Sequence, residues 1–253
     1  MKFSLLSYQI AKSWDLDTMI EKAKKHGFAA LEFRAEYDQS HGVELETTLE
    51  QRRAIRQRIQ AAYLEVAGVS CSQRFESTDP RVRAEAVERS KGFADLAADL
   101  EAGWVRVCGN TIPDGVDKDT AVAYVAESLA EVADHCAGRG VDLLLEMHGE
   151  FNNWNYCLKA LELAGRDNIG LLYNSDVRDL VYGSIEPTFD RVKHLIRHVH
   201  LHDLASGYPY EELLGLLRAS GFDGYVSPEI LVEIPTPEDY LALYRAHLHR
   251  LTR

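Results

Sequence analysis

The run His198-Val199-His200-Leu201-His202-Asp203 alternates three imidazoles with two aliphatic side chains and ends on an acid. Side chains two apart in a β-strand share a face, so a strand here sets the histidines on one side and Val199 and Leu201 on the other. One apolar face against helices and one polar face towards a cavity is what a closed α/β barrel provides at its functional mouth. The run is expected to supply a divalent-metal ligand, with the other ligands at the ends of neighbouring strands.

On both sides of this run, β-like segments alternate with amphipathic helical ones. Strands are expected over Lys2–Gln9, Phe28–Arg34, Leu64–Ser70, Trp104–Cys108, Val141–Met147, Ile169–Asn174, Leu195–His202 and Tyr225–Ile230. Helices are expected over Asp15–His26, Leu49–Ala62, Pro80–Leu100, Thr120–Arg139, Tyr156–Ala164, Thr188–His194, Tyr210–Ser220 and Thr236–Leu251. Glycines just past helix ends (Gly27, Gly140, Gly221) and Pro237 in a first turn punctuate them. Eight such repeats predict an α/β fold, a (β/α)8 TIM barrel. No Gly/Ser/Pro-rich linker divides residues 1–253, which reads as a single TIM-barrel domain. The competing doubly wound open sheet normally carries a Gly-rich phosphate loop after its first strand, and Ser7-Tyr8-Gln9-Ile10 is not one.

Composition narrows the partners. The formal net charge of -12 over 253 residues counts against a nucleic-acid backbone or an anionic membrane surface. The first residues have too short an apolar stretch for a secretory signal. Cys71, Cys108, Cys136 and Cys157 lack CxxC spacing and fit reduced thiols. A cytoplasmic enzyme acting on a small molecule is expected, and a homo-oligomer is compatible with it.

Active sites of such barrels gather at the C-terminal ends of the strands. Polar residues recur there: Glu32 and Arg34 on strand two, Arg106 and Asn110 on strand four, and Glu146 and His148 on strand five. Asn174 and Asp176 follow on strand six, His198, His200 and His202 on strand seven, and Glu229 on strand eight. Carboxylate oxygens with an imidazole suit Mn²⁺, Mg²⁺, Co²⁺ or Zn²⁺. The competing reading of Glu146 is an ion pair with Arg106 or Lys159; that of His198 is a hydrogen-bonded core histidine. The loop Glu150–Trp154 either lines a sugar-sized pocket with Trp154 or is a capped turn. His41 and Glu44 either reach over the mouth or decorate a loop, and His26, His135, His247 and His249 read as surface residues.

The stretches GFAALEFR (27–34), WVRVCG (104–109), LLLEMHG (143–149), IRHVHLHD (196–203) and YPYEELLGLLRASGFDGYVSPE (208–229) together resemble the xylose isomerase-like TIM-barrel superfamily. The likeness is to its sugar (phosphate) isomerase/epimerase group, which includes ketose 3-epimerases, hydroxypyruvate isomerase and inosose dehydratase. The resemblance implies a divalent metal, Mn²⁺ first, held by Glu146, the strand-six acid, His200 and Glu229. Strand six departs from the family's Asp-x-x-His: Asn174 stands at the metal Asp and Val177 at the substrate-binding His. Either Asn174 ligates through its carbonyl oxygen or Asp176 takes over, and an Asn ligand implies weaker metal binding. The loop 204–208 also lacks the Arg that sugar epimerases place there.

The chemistry implied by the resemblance is proton abstraction next to a carbonyl through an enediolate. Glu146 and Glu229 would be the acid/base pair, and Arg106, His148 and His202 would orient substrate hydroxyls, with Glu32, Arg34 and Trp154 as further substrate contacts. The same intermediate can expel a β-hydroxyl, so a dehydratase or other lyase acting on a sugar or cyclitol is the close alternative. A non-catalytic sugar-binding barrel or partner-dependent subunit is the alternative of a different class. A DNA-repair endonuclease of the superfamily would need a multi-zinc ligand set and a basic surface, and neither is recognisable here.

Overall fold

The computed structural model describes residues 1–37 and 39–252. Strands β1 (Lys2–Leu6), β2 (Ala30–Arg34), β3 (Glu65–Arg74), β4 (Trp104–Cys108), β5 (Asp142–Glu146), β6 (Ile169–Asn174), β7 (Ile196–Leu201) and β8 (Tyr225–Pro228) pair in parallel in chain order. β1 closes on β8, with Lys2 opposite Tyr225 and Phe3 opposite Val226. That closure excludes the open doubly wound sheet. Helices α1 (Leu16–Lys25), α2 (Leu49–Ala61), α3 (Pro80–Asp99), α4 (Lys118–Arg139), α5 (Trp154–Ala164), α6 (Glu186–Val192), α7 (Tyr210–Ala219) and α8 (Pro237–Leu251) alternate with the strands. The architecture is the (β/α)8 TIM barrel. No helix among the described residues is long and apolar enough to cross a membrane.

Several element ends differ from the sequence expectation, each for a local reason. α4 starts at Lys118 rather than Thr120 because Asp117 caps it, accepting from the Thr120 backbone N–H. α5 starts at Trp154 because Asn153 accepts from Asn155 N–H. β3 runs to Arg74 because pairing with β4 resumes beyond an irregularity, Arg74 standing opposite Cys108. β1 ends at Leu6, and Gln9 takes a positive φ of 48° that no strand accommodates.

The strands carry two cores. Val199 and Leu201, with Leu31, Phe33, Val105, Leu143, Leu145 and Leu171, are buried outward against the helices. Inside the barrel a smaller plug of Ala30, Ala67, Trp104, Leu144 and Leu172 closes the lower part. Gly68 is required there, because a Cβ at this position would stand 2.2 Å from the Trp104 ring. Hydrophobic contact fills the bottom of the barrel and leaves the polar residues of the upper strands facing one another.

Candidate functional site

The alternation in β7 works as its sequence demands. His198 and His200 point inward above the apolar plug, both fully buried, and the His198 ring lies 4.6 Å from that of Trp104. A charged or hydrogen-bonding imidazole in that place needs a partner, and Glu32 from β2 supplies it. Its Oε2 accepts from His198 Nε2 at 2.8 Å and its Oε1 from His200 Nε2 at 2.8 Å. Ser70 Oγ of β3 adds a third donor at 2.7 Å. Burial pushes the Glu32 carboxyl up, but His200 and His198 outweigh it and hold it well below the usual carboxylate range. Burial pushes His198 down, while His200, among Glu32, Glu229 and Glu146, is held well above the ordinary imidazole range.

Because Glu32 takes the Nε2 proton of His200, the other ring nitrogen faces the next layer. His200 Nδ1 stands 3.6 Å from Glu146 Oε1 and 3.5 Å from Glu229 Oε2, too far for good hydrogen bonds, and it has no hydrogen-bond partner among the described residues. Asn174 Oδ1 is likewise buried without a partner among the described residues, while its Nδ2 donates to Glu146 Oε1 at 3.3 Å. One atom each of Glu146, His200 and Glu229 lies within 4.8 Å of the others. A buried amide oxygen and an imidazole nitrogen left without partners between two carboxylates cost free energy, and a cation taking the place of the Nδ1 proton would join all four groups. The donor set, carboxylate and amide oxygens with one imidazole nitrogen, therefore fits a divalent metal ion. A second group that could hold a metal is Glu32, His198 and His200, but its atoms already bond to one another.

Beneath Glu146, the Arg106 guanidinium approaches Oε2 at 3.5 Å and the Cys108 thiol donates to it at 3.1 Å. Arg106 is also tied to the Cys71 carbonyl at 2.7 Å. Burial raises the Glu146 carboxyl, and Arg106 and His200 together outweigh it, so the group is held below its ordinary range. Glu229, just past β8, is likewise held low: burial raises it, but His200 and His202 prevail. His202 Nε2 donates to Glu229 Oε2 at 3.0 Å, leaving Oε1 without a hydrogen bond among the described residues.

The structure brings Glu146, Asn174, His200, His202 and Glu229 together and leaves Asp176 aside. Asp176 is ion-paired with Arg178, at 2.6 Å from Nη2, and caps a short 3-10 turn over Val177–Asp179. His148 is exposed at the rim and donates to Asn110 Oδ1 at 2.6 Å. Trp154 begins α5 beside a cavity that also touches Asn155 and Arg178, with the Arg191 guanidinium 5.4 Å from its ring. Arg34 is buried on the Ala35 and Ser70 carbonyls, 5.1 Å from the Tyr37 ring. His41 is buried between Ser7 and the Arg34 carbonyl and holds a loop rather than the mouth. Of the proposed ion-pair partners, Arg106 meets Glu146 while Lys159 pairs with Asp119.

Three contributors were not legible in advance. Ser70 and Cys108 are small inward residues at strand ends, and only the strand register shows that they meet Glu32 and Glu146. Asp179 is buried and ties three loops together, accepting from Asn152 Nδ2 at 2.8 Å, Tyr208 Oη at 3.1 Å and the Asp176 backbone N–H at 3.1 Å.

Solved structures with this architecture include a D-psicose 3-epimerase from Clostridium cellulolyticum H10, with TM-score 0.80 and 17% identity over 100% of this chain and 99% of that one. A 3-keto-D-glucoside 4-epimerase from E. coli superposes with TM-score 0.80 at 15% identity, covering 99% and 98%. A probable 3-DHS dehydratase from Bacillus anthracis gives 0.80 at 14%, covering 98% and 99%. At these identities the likeness is one of fold. No curated protein matches the sequence. The family model described as xylose isomerase-like TIM barrel matches residues 20–249, nearly the whole barrel with every residue of the polar centre. The chain belongs to the xylose isomerase-like TIM-barrel family.

Proposed function

We propose that the chain is a divalent-metal-dependent isomerase or epimerase of a sugar or keto acid, moving a proton on the carbon beside a carbonyl. The observation that carries this reading is the pair of orphaned donor atoms, His200 Nδ1 and Asn174 Oδ1, set between the carboxylates of Glu146 and Glu229 at the barrel mouth. Glu146, Asn174, His200 and Glu229 would hold the metal, Mn²⁺ first, with Mg²⁺, Co²⁺ or Zn²⁺ as alternatives. Bound there, it would polarise substrate oxygens and acidify the neighbouring C–H.

The residues divide the remaining work. Glu229, whose Oε1 is uncommitted, takes the proton on its side, and His202 holds its other oxygen. Glu146, three strands round the ring on β5, delivers to the opposite side a proton taken up from water, and the proton on Glu229 passes to water in turn. Arg106 and Cys108 hold one Glu146 oxygen in place. Glu32 acts beneath the centre, as the partner that orients His200, rather than as a substrate contact. Arg34, His148 and Trp154 remain candidate substrate contacts, with His148 and Trp154 nearest the open mouth. The fold likeness to sugar epimerases supports the reaction class.

The test is proton NMR in D₂O with Mn²⁺-loaded protein and a panel of ketoses and keto acids. Deuterium should enter at the carbon beside the carbonyl, and Glu146→Gln and Glu229→Gln should each abolish it. Full turnover by either variant would overturn the assignment.

A dehydratase is the second reading, favoured by Asn174 at the metal position and by the fold likeness to a dehydratase. Loss of water from the product in the same NMR experiment would select it. A protein that binds no Mn²⁺ and exchanges no proton would be the non-catalytic barrel.

A further inference from the structure

Between the ends of β6, β7 and β8 a cavity of about 480 Å³ opens at the mouth. His202 lines it and bonds to Glu229, so whatever fills the cavity reaches the reacting end of the site. Much of the rest of its wall is apolar, with Val177, Ile230, Leu231, Val232 and Tyr240 contributing, beside the polar Ser175, Asp176, Asp203 and Ser206. Val177, Leu231 and Val232 are 67%, 53% and 62% exposed, three large aliphatics around one functional opening. Single exposed aliphatics are ordinary, whereas a cluster rimmed by polar groups marks a binding surface.

The charges decide what fits. Among the described residues no lysine or arginine lines the cavity, and two acids do, Asp176 and Asp203. Asp176 is neutralised by Arg178, which lines the adjoining cavity beside Trp154 instead. Asp203 is exposed and accepts from the Ala205 backbone N–H, and no lysine or arginine is paired with it among the described residues. A phosphate placed here would lose its hydration, face Asp203 and meet no cation.

Resting on the isomerase/epimerase reading of the same site, we infer that this cavity is a subsite for an uncharged apolar substituent on the substrate. The chain then acts on an unphosphorylated sugar that carries an alkyl or aryl group, with the sugar end at Glu229 and His202 and the apolar end against Leu231 and Val232.

Calorimetric titration of the Mn²⁺-loaded protein with methyl β-D-glucoside, phenyl β-D-glucoside and phenyl phosphate tests this without requiring turnover. Phenyl glucoside should bind about tenfold tighter than either of the others, the gain from moving a ring out of water after ordering costs. Leu231→Asp/Val232→Asp, at exposed positions, should erase the phenyl advantage and leave methyl glucoside binding unchanged. Equal affinity for the two glucosides, tighter phenyl phosphate, no binding by any of the three, or a preference that survives the double substitution would overturn the subsite. Glu229→Gln separates the two readings: it should lose proton exchange and keep the phenyl preference. A wild-type protein with that preference but no exchange on any ketose overturns the isomerase reading and leaves the subsite standing.

Discussion

Glu32 Oε1 accepts the Nε2 proton of His200 at 2.8 Å, and this bond decides which nitrogen the histidine presents to the centre of the barrel. A carboxylate is an acceptor only, so Nε2 keeps its proton, and Nδ1, towards Glu146 and Glu229, is the nitrogen that would give up its proton to a metal ion. Glu32→Gln breaks that logic, because one of the two histidines then faces an amide N–H and must reverse its tautomer or turn away. Mn²⁺ affinity should fall 10- to 100-fold, the usual loss when the partner of a ligating histidine is removed. Titration followed by the EPR signal of free Mn²⁺ measures it, and an unchanged affinity would show that Glu32 does not orient His200.

Asn174 puts a neutral oxygen where the family resemblance implies a carboxylate, and its Nδ2 donates to Glu146 Oε1 at 3.3 Å. Asn174→Asp replaces that donor with a second negative charge. The metal-free protein should melt lower, since two buried carboxylates then repel. Mn²⁺ should bind at least about tenfold tighter, because an ionised ligand replaces a neutral one. Asp176→Asn, which touches Arg178 rather than the centre, should change Mn²⁺ affinity less than about twofold. A larger loss with Asp176→Asn than with Asn174→Ala would move the ligand to Asp176.

These contrasts show where the sequence was readable. The β7 run could be read because period-two alternation fixes faces without knowledge of neighbours, and His198 and His200 do share the inward face. The barrel could be read because eight strand–helix units have few closed solutions. The contact of Glu32 with His200, 168 residues apart, could not, since it depends on the closed ring bringing β2 and β7 across its interior. The different surroundings of Asn174 and Asp176 were equally hidden. Residues two apart share a face only while the strand continues, and β6 ends at Asn174, after which Asp176 turns to Arg178.

Asp179 gives the fold a specific pH dependence. Burial raises its carboxyl from 3.8 to about 6 despite hydrogen bonds from Asp176 and Asn152. A group with a raised folded-state pKa contributes most stability below its unfolded value, and the contribution is lost as pH rises through the folded one. The stability of wild type relative to Asp179→Asn should therefore decline between about pH 4 and pH 7, by at most about 3 kcal/mol. Urea denaturation of both proteins across that range measures it. A flat difference would mean that Asp179 titrates normally.

Gly68 and Trp104 connect the apolar plug to the polar centre. A Cβ on Gly68 would stand 2.2 Å from the indole, and the indole cannot simply retreat, because the His198 ring lies 4.6 Å from it on the way to Glu32. Gly68→Ala should thus cost about 1–3 kcal/mol by overpacking. It should also lower Mn²⁺ affinity, since a displaced His198 pulls on the carboxylate that orients His200. Trp104→Leu alone opens a void in the plug and destabilises by a separate route. Combined, the two changes relieve each other, the smaller side chain making room for the added methyl group. The double variant should be more stable than the sum of the single losses allows, by more than the roughly 0.5 kcal/mol expected of independent sites. Thermal or urea unfolding of the four proteins closes the cycle. Additive losses would show that the Gly68–Trp104 contact is not what the alanine disturbs.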